Sequence, residues 1–96
     1  MDTVLEQEVT VLSEMGLHTR PAAQLAKMVS ALNVRVKLSR SDDPANEAEG
    51  NSILGLLMLA APRGSKLRVK VSGEDSEIAL RQITQYFAAA FGDERE

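Results

Sequence analysis

The chain has 96 residues, of which 44% are hydrophobic and 26% charged, with a formal net charge of -3, one histidine and no cysteine or tryptophan. This length supports one core and excludes a two-domain enzyme, because a small chain leaves much of its surface exposed. The absence of cysteine excludes disulfides and Cys-based metal sites, a single histidine excludes a polyhistidine metal site, and the acidic balance argues against a nucleic-acid partner.

The sequence pattern of the first half of the chain predicts a strand, a helix and then two further strands. Residues 7–12 alternate apolar and polar side chains, as in a strand with one buried face. Residues 19–33 carry apolar side chains at helical spacing, and residues 34–39 alternate again as a strand. A turn at residues 41–44 and a weakly patterned return strand at residues 45–49 follow.

Residues 53–59 predict a short helix with Asn51 or Ser52 as its N-cap. The helix is apolar nearly all round, which is expected of a half-exposed helix only where it contacts another protein. A fully buried short helix is the alternative. The expected core contacts of this helix are Leu56, Met58 and Leu59.

Residues 67–71 alternate as a fourth strand, and a last helix follows that begins at Asp75 and ends at Gly92. The Asp75 carboxylate can accept hydrogen bonds from the first amides of that helix. Its expected buried stripe is Leu80, Ile83 and Phe87. The order β-α-β-β-α-β-α predicts an α+β open-faced sandwich, an antiparallel sheet with helices on one side only.

Residues 16–23 lie where the first strand meets the first helix. Proline is tolerated in a first helical turn, so Pro21 places His18 at the helix cap. Free amides at this helix end form an anion site, to which Arg20 can add a planar double donor for phosphate. A neutral imidazole nitrogen could attack a phosphoryl donor there and pass the group onward. The simpler interpretation is that His18 only caps or packs.

Residues 16–22, Gly-Leu-His-Thr-Arg-Pro-Ala, resemble the active-site signature of the HPr family, the histidine-containing phosphocarriers of the bacterial phosphoenolpyruvate-dependent phosphotransferase system. Residues 51–59, followed by Gly64, resemble the regulatory-serine helix of that family. The resemblance covers about residues 6–91 and implies an HPr-like fold, a four-stranded antiparallel sheet with three helices on one face.

The resemblance implies that His18 accepts a phosphoryl group on Nδ1 from phosphorylated enzyme I and delivers it to an enzyme IIA domain. Arg20 would stabilise the phosphate, and the backbone amides of Thr19 and Arg20 would bind it. Thr19 stands where alanine is commoner in the family. No cofactor or metal is expected, and the protein would be a carrier without turnover of its own.

Ser52 matches the serine that HPr kinase/phosphorylase modifies in some bacteria. A serine phosphate is a stable ester, and its charge of about -1.5 to -2 beside a docking surface would regulate docking. The alternative is that Ser52 serves only as the N-cap of the helix. Regulated members often have a basic residue just before the serine, whereas residues 49–51 are Glu-Gly-Asn here.

The docking surface implied by the resemblance lies beside the active histidine and consists of Thr19, Arg20, Ile53, Leu54 and Leu57. Expected partners are enzyme I, enzyme IIA domains, HPr kinase/phosphorylase and transcriptional regulators. The apolar stretches are shorter than the ~20 residues that span a bilayer, and the first residues lack a secretion signal. We therefore expect a cytoplasmic monomer without membrane insertion, one domain over residues 1–96, with flexible ends at residues 1–5 and 92–96.

Residues 48–52, 56–59 and 92–96 are more similar to the nitrogen-related branch of the family than to its sugar-transport branch. Two other classes of function compete with a phosphoryl relay. One is a regulatory interaction protein in which Ser52 is the working residue and His18 is idle. The other is a small ligand-binding α+β domain without phosphotransfer.

Overall fold

A computed structural model describes residues 3–92 of the chain. Its four strands are β1 (Leu5–Thr10), β2 (Arg35–Arg40), β3 (Asp43–Glu49) and β4 (Lys66–Ser72). They form one antiparallel sheet in the order β1-β4-β2-β3. The predicted four-stranded antiparallel sheet is therefore confirmed.

Three helices pack on one face of this sheet: α1 (Thr19–Ser30), α2 (Ile53–Met58) and α3 (Ser76–Ala88). Alternation along β2 and β4 points apolar residues toward the helices and charged residues toward the open face. The central strands bury Val36, Leu38, Leu67, Val69 and Val71. The predicted α+β open-faced sandwich is confirmed.

The connection between α1 and β2 differs from the prediction. Helix α1 ends at Ser30, three residues before the predicted end at Asn33. The backbone amide of Asn33 donates to Oδ2 of Asp75 at 2.9 Å, and Asp75 makes no side-chain cap bond to its own helix. Asp75 is the N-cap residue of α3, but the prediction that its carboxylate accepts from the first amides of that helix is wrong, because the carboxylate binds the turn before β2 instead.

Two other element boundaries differ as well. Strand β3 begins at Asp43, inside the predicted turn, and Pro44 is tolerated there because β3 is an edge strand. Helix α3 ends at Ala88, and a separate turn at Ala90–Gly92 follows it.

The buried stripe of α3 also differs from the prediction. It consists of Ala79, Ile83 and Phe87, whereas Leu80 is only half-buried. The spacing i, i+4, i+8 puts these three residues on one helical face, which leaves Leu80 at the margin of that face.

Of the ends predicted to be flexible, residues 1–2 and 93–96 lie outside the described residues, whereas Leu5 pairs with Val71 as the first residue of β1. Between residues 3 and 92, no helix is both long and apolar enough to cross a membrane. The same residues contain no group of three or more His, Asp or Glu side chains that could hold a metal ion.

Candidate functional site

The loop that leads to His18 is bonded to the segment that follows α2. The backbone amide of Leu17 donates to the carbonyl of Ala61 at 2.9 Å. Farther along, Gly64 donates to the carbonyl of Val11 at 2.7 Å, and Val11 donates to that of Ser65 at 2.9 Å. These bonds hold the loop against the exit of α2, although the two segments lie far apart in sequence.

Gly16 makes this close approach possible. Its φ is +71°, and a Cβ there would lie 2.6 Å from the carbonyl oxygen of Ala61 and 2.9 Å from Cα of Pro62. Any other residue would be strained in this conformation and would also push the two segments apart. Glycine therefore sets the path of the chain two residues before the histidine.

His18 is the N-cap residue of α1. Its backbone is extended, with φ -103° and ψ -169°, and its carbonyl accepts the first helical hydrogen bond from Ala22 at 3.0 Å. The imidazole is half-buried and makes no cap hydrogen bond, so it does not serve as the side-chain cap of the helix. The amides of Thr19 and Arg20 point out of the first turn, where no intrahelical acceptor exists.

Arg20, two residues into the same helix, reaches the C-terminal turn of the chain. Its Nη2 donates to the carbonyl of Phe91 at 2.9 Å. That carbonyl is presented by a left-handed turn in which Ala90, Phe91 and Gly92 have φ values of 52°, 59° and 73°. Two consecutive non-glycine residues in this region carry backbone strain, which the surrounding packing must offset.

Aromatic packing supplies that support. The Phe91 ring lies edge-on to Phe87, with centroids 5.0 Å apart, and is tilted against Tyr86 at 5.2 Å. Burial raises the pKa of the Tyr86 hydroxyl, and the nearby charge of Arg20 partly opposes that shift. The hydroxyl makes no hydrogen bond within residues 3–92, and Arg20 acts on it as a nearby positive charge.

Helix α2 begins at the second predicted site. Ser52, rather than Asn51, is its N-cap, and the Ser52 hydroxyl oxygen accepts a hydrogen bond from the Gly55 amide at 2.9 Å. Within α2 only Leu56 is buried, so the alternative of a fully buried short helix is wrong.

The exposed side of α2 is strongly apolar. Ile53 is 42% exposed, Leu54 69% and Met58 68%. Leu57 is half-buried against the core. Met58 was expected in the core together with Leu56 and Leu59, and that prediction is wrong for Met58 because the helix turns its side chain away from the sheet.

Met15, in the loop before His18, is 72% exposed. It joins the exposed residues of α2 in what we call the apolar patch: Met15, Ile53, Leu54 and Met58. The bond between Leu17 and Ala61 joins the loop that carries Met15 to the segment that directly follows α2. The sequence patterns did not single out Met15, although a large apolar residue between a predicted strand and a predicted helix was a usable signal. They also missed Phe91, for which no local signal existed.

The chain matches, over residues 5–89, the family described as PTS HPr component phosphorylation site. It is 33% identical over 91 residues to phosphocarrier protein HPr of Xylella fastidiosa, covering 95% of this chain and 99% of that protein. It is 31% identical over 90 residues to phosphocarrier protein NPr of Escherichia coli. That alignment covers 94% of this chain and 98% of that protein.

The fold is similar to that of a solved structure of HPr-C-His from Thermoanaerobacter tengcongensis, with a TM-score of 0.85, 23% identity and coverage of 95% and 99% of the two chains. The family match and the curated relatives extend over nearly the whole chain, and they include the segment that carries His18. The chain therefore belongs to the HPr family, the phosphocarrier proteins of the phosphotransferase system.

Proposed function

We propose that His18 carries the phosphoryl group, accepting it from phosphorylated enzyme I and delivering it to an enzyme IIA domain. The observation that carries this proposal is the position of the imidazole. It is half-buried at the N-cap position of a 12-residue helix. An imidazole at this position faces outgoing amides that can receive phosphate oxygens.

In the proposed transfer, Nδ1 of His18 attacks the phosphorus of the donor phosphohistidine. A new P–N bond forms as the P–N bond of the donor breaks, and the donor imidazole leaves with the electron pair. The amides of Thr19 and Arg20 face the charge that develops on the phosphoryl oxygens. The same step run toward enzyme IIA discharges the carrier, so the protein needs no cofactor and has no turnover of its own.

Arg20 supplies the mobile positive charge of this site. In the structure its guanidinium is held by a neutral carbonyl, that of Phe91, at 2.9 Å. A phosphoryl dianion on His18 is a stronger acceptor than a carbonyl, because charge-assisted hydrogen bonds are roughly twice as strong as neutral ones. We propose that Arg20 turns from Phe91 to the phosphate when His18 is loaded.

The proposed docking surface is the apolar patch, with Thr19 and Arg20 exposed at its edge. Patches of this kind on a small protein mark contacts with partners. Of the three docking residues expected on α2, Ile53 and Leu54 are exposed and Leu57 contributes only in part. The partners would close over His18 and exclude water from the transfer.

Ser52 is the proposed regulatory site. Its hydroxyl is half-buried and is already used as the cap acceptor of α2. Phosphorylation by an HPr kinase/phosphorylase would put a dianion at the edge of the apolar patch and weaken docking. We also propose that the protein works in the cytoplasm as a monomer and belongs to the nitrogen-related branch, as the sequence of residues 48–52 suggests.

The test is incubation with phosphoenolpyruvate and a cognate enzyme I, followed by analysis of the bound phosphate. We expect a phosphate that is labile in acid and stable in base, absent from His18→Ala and transferable to enzyme IIA. A labelled His18→Ala protein would refute the relay. No label on the wild-type chain with an active enzyme I would also refute it and would favour a regulator that acts through Ser52.

A further inference from the structure

Two methionines of the apolar patch expose their side chains beside the histidine loop. Met15 is 72% exposed and Met58 is 68% exposed, values matched among the large apolar residues of the described chain only by Leu54 at 69%. Met15 lies two residues before Leu17 and Met58 three residues before Ala61, and the hydrogen bond between Leu17 and Ala61 joins their two segments. Of the thioethers within residues 3–92, the two most accessible therefore lie on the proposed docking surface.

The chain has four methionines and no cysteine, so thioethers are its only sulfur groups. Met1 lies outside the described residues. Met28 is half-buried and packs against the core. An oxidant in solution would thus reach Met15 and Met58 before Met28, and the thioethers reached first would be those that contact partners.

We propose that Met15 and Met58 are sites of reversible oxidation that turn off partner docking while leaving the fold intact. This inference rests on the proposed function, because it takes the apolar patch as the surface that meets enzyme I. It assigns to the chain a response to peroxides that requires no cysteine.

The reaction is a two-electron oxidation of each thioether. The sulfur takes one oxygen atom from a peroxide such as hydrogen peroxide, the O–O bond breaks, and the second oxygen leaves as water. The product, methionine sulfoxide, is polar and can be reduced back to the thioether by a methionine sulfoxide reductase. Two thiols supply the electrons for that reduction and are oxidised to a disulfide, and the sulfoxide oxygen leaves as water.

The expected effect of oxidation follows from the exposure of the Met15 and Met58 side chains. Neither side chain fills the core, so the sulfoxides cost the fold little. At a dry contact with a partner, however, each sulfoxide group would lose water without gaining a hydrogen bond, which we expect to slow transfer about tenfold per site. Oxidation would therefore reduce phosphotransfer without unfolding the protein.

The experiment oxidises the full chain with hydrogen peroxide and removes the peroxide with catalase before enzyme I and phosphoenolpyruvate are added. Peptide mass measurement follows the gain of one oxygen at Met15, Met58 and Met28, and circular dichroism follows the fold. We expect Met15 and Met58 to be oxidised first, transfer to fall while the fold persists, and a sulfoxide reductase with dithiothreitol to restore the rate.

The matched variants are Met15→Leu/Met58→Leu and Met28→Leu, each compared with its own unoxidised rate. The double variant should lose its sensitivity to peroxide, whereas Met28→Leu should stay as sensitive as the wild type. Unchanged transfer after full oxidation of Met15 and Met58, or a peroxide effect that persists in the double variant, would overturn this inference alone. An unoxidised wild-type chain that accepts no phosphate would overturn the proposed function together with it.

Discussion

Arg20 donates a hydrogen bond from Nη2 to the main-chain carbonyl of Phe91 at 2.9 Å, across 71 positions of sequence. The bond joins the helix that begins at His18 to the left-handed turn at the C-terminal end of the described chain. Because the Phe91 ring packs against Tyr86, the same contact brings the guanidinium charge near the buried hydroxyl of the half-buried Tyr86. The position of Arg20 can therefore be read from the titration of Tyr86.

Tyr86 should report on the Arg20 charge through its own ionisation. Burial raises the pKa of the phenol and Arg20 lowers it, so Arg20→Gln should raise the pKa of Tyr86 further. The chain has one tyrosine and no tryptophan, which makes ultraviolet titration of the phenol unambiguous. The matched control is Arg81→Gln, because Arg81 is an exposed arginine on α3, the helix that carries Tyr86. Equal titration curves for wild type and Arg20→Gln would contradict the contact.

The same group predicts how stability depends on alkaline pH. The folded pKa of Tyr86 is raised, so its contribution is complete below the unfolded pKa of about 10 and is lost as the pH rises through the folded value. Tyr86→Phe should therefore lose less stability than the wild type above about pH 10. Urea unfolding at a series of pH values measures the unfolding free energy of both proteins. The same dependence on pH in wild type and Tyr86→Phe would exclude a contribution from Tyr86.

Gly16 should be far less replaceable than Gly64. Both have positive φ, +71° and +91°, but a Cβ at Gly16 would meet Ala61 at 2.6 Å, whereas nothing lies within 4 Å of one at Gly64. Gly64→Ala should cost about 1 kcal/mol of unfolding free energy from backbone strain alone. Gly16→Ala should cost clearly more and should slow phosphotransfer, because the loop before His18 must move. Equal losses of stability and activity in the two variants would show that the loop tolerates the displacement.

Ser52 variants should separate helix capping from charge. Ser52→Ala removes the hydrogen bond from the Gly55 amide and should cost about 1 kcal/mol of unfolding free energy. Ser52→Asn and Ser52→Asp both supply a cap acceptor and should keep most of the stability. If charge at this position regulates docking, Ser52→Asp should accept phosphate from enzyme I more slowly than Ser52→Asn. Identical rates for these two variants would remove the electrostatic argument.

Leu54 should matter for docking but not for the fold. Its side chain is 69% exposed in the apolar patch, so Leu54→Glu should leave the melting temperature nearly unchanged and slow transfer from enzyme I by about tenfold or more. Ile78→Glu on α3 is the control, because Ile78 is also exposed, at 43%, but lies outside the patch. Stopped-flow phosphotransfer compares them, and equal rates in both variants would place the docking contact elsewhere.

The sequence by itself determined the elements and the position of His18. Alternation along residues 34–39 and 67–71 and helical spacing after Thr19 are local patterns, because each depends on which face of a strand or helix a residue occupies. Pro21 fixed the start of α1 for the same local reason, since it fits only a first helical turn. The fold class and the cap position of His18 follow from those patterns.

The tertiary structure alone decided which partners the side chains meet. Asp75 binds the amide of Asn33 instead of its own helix, Met58 faces away from the sheet, and Arg20 meets Phe91. These outcomes depend on how distant elements pack, and no pattern within one segment records the neighbour that another segment will supply. The sequence thus placed the His18 imidazole at a helix end. Packing decided that the Phe91 carbonyl binds Arg20 and which apolar residues are exposed on the same surface as His18.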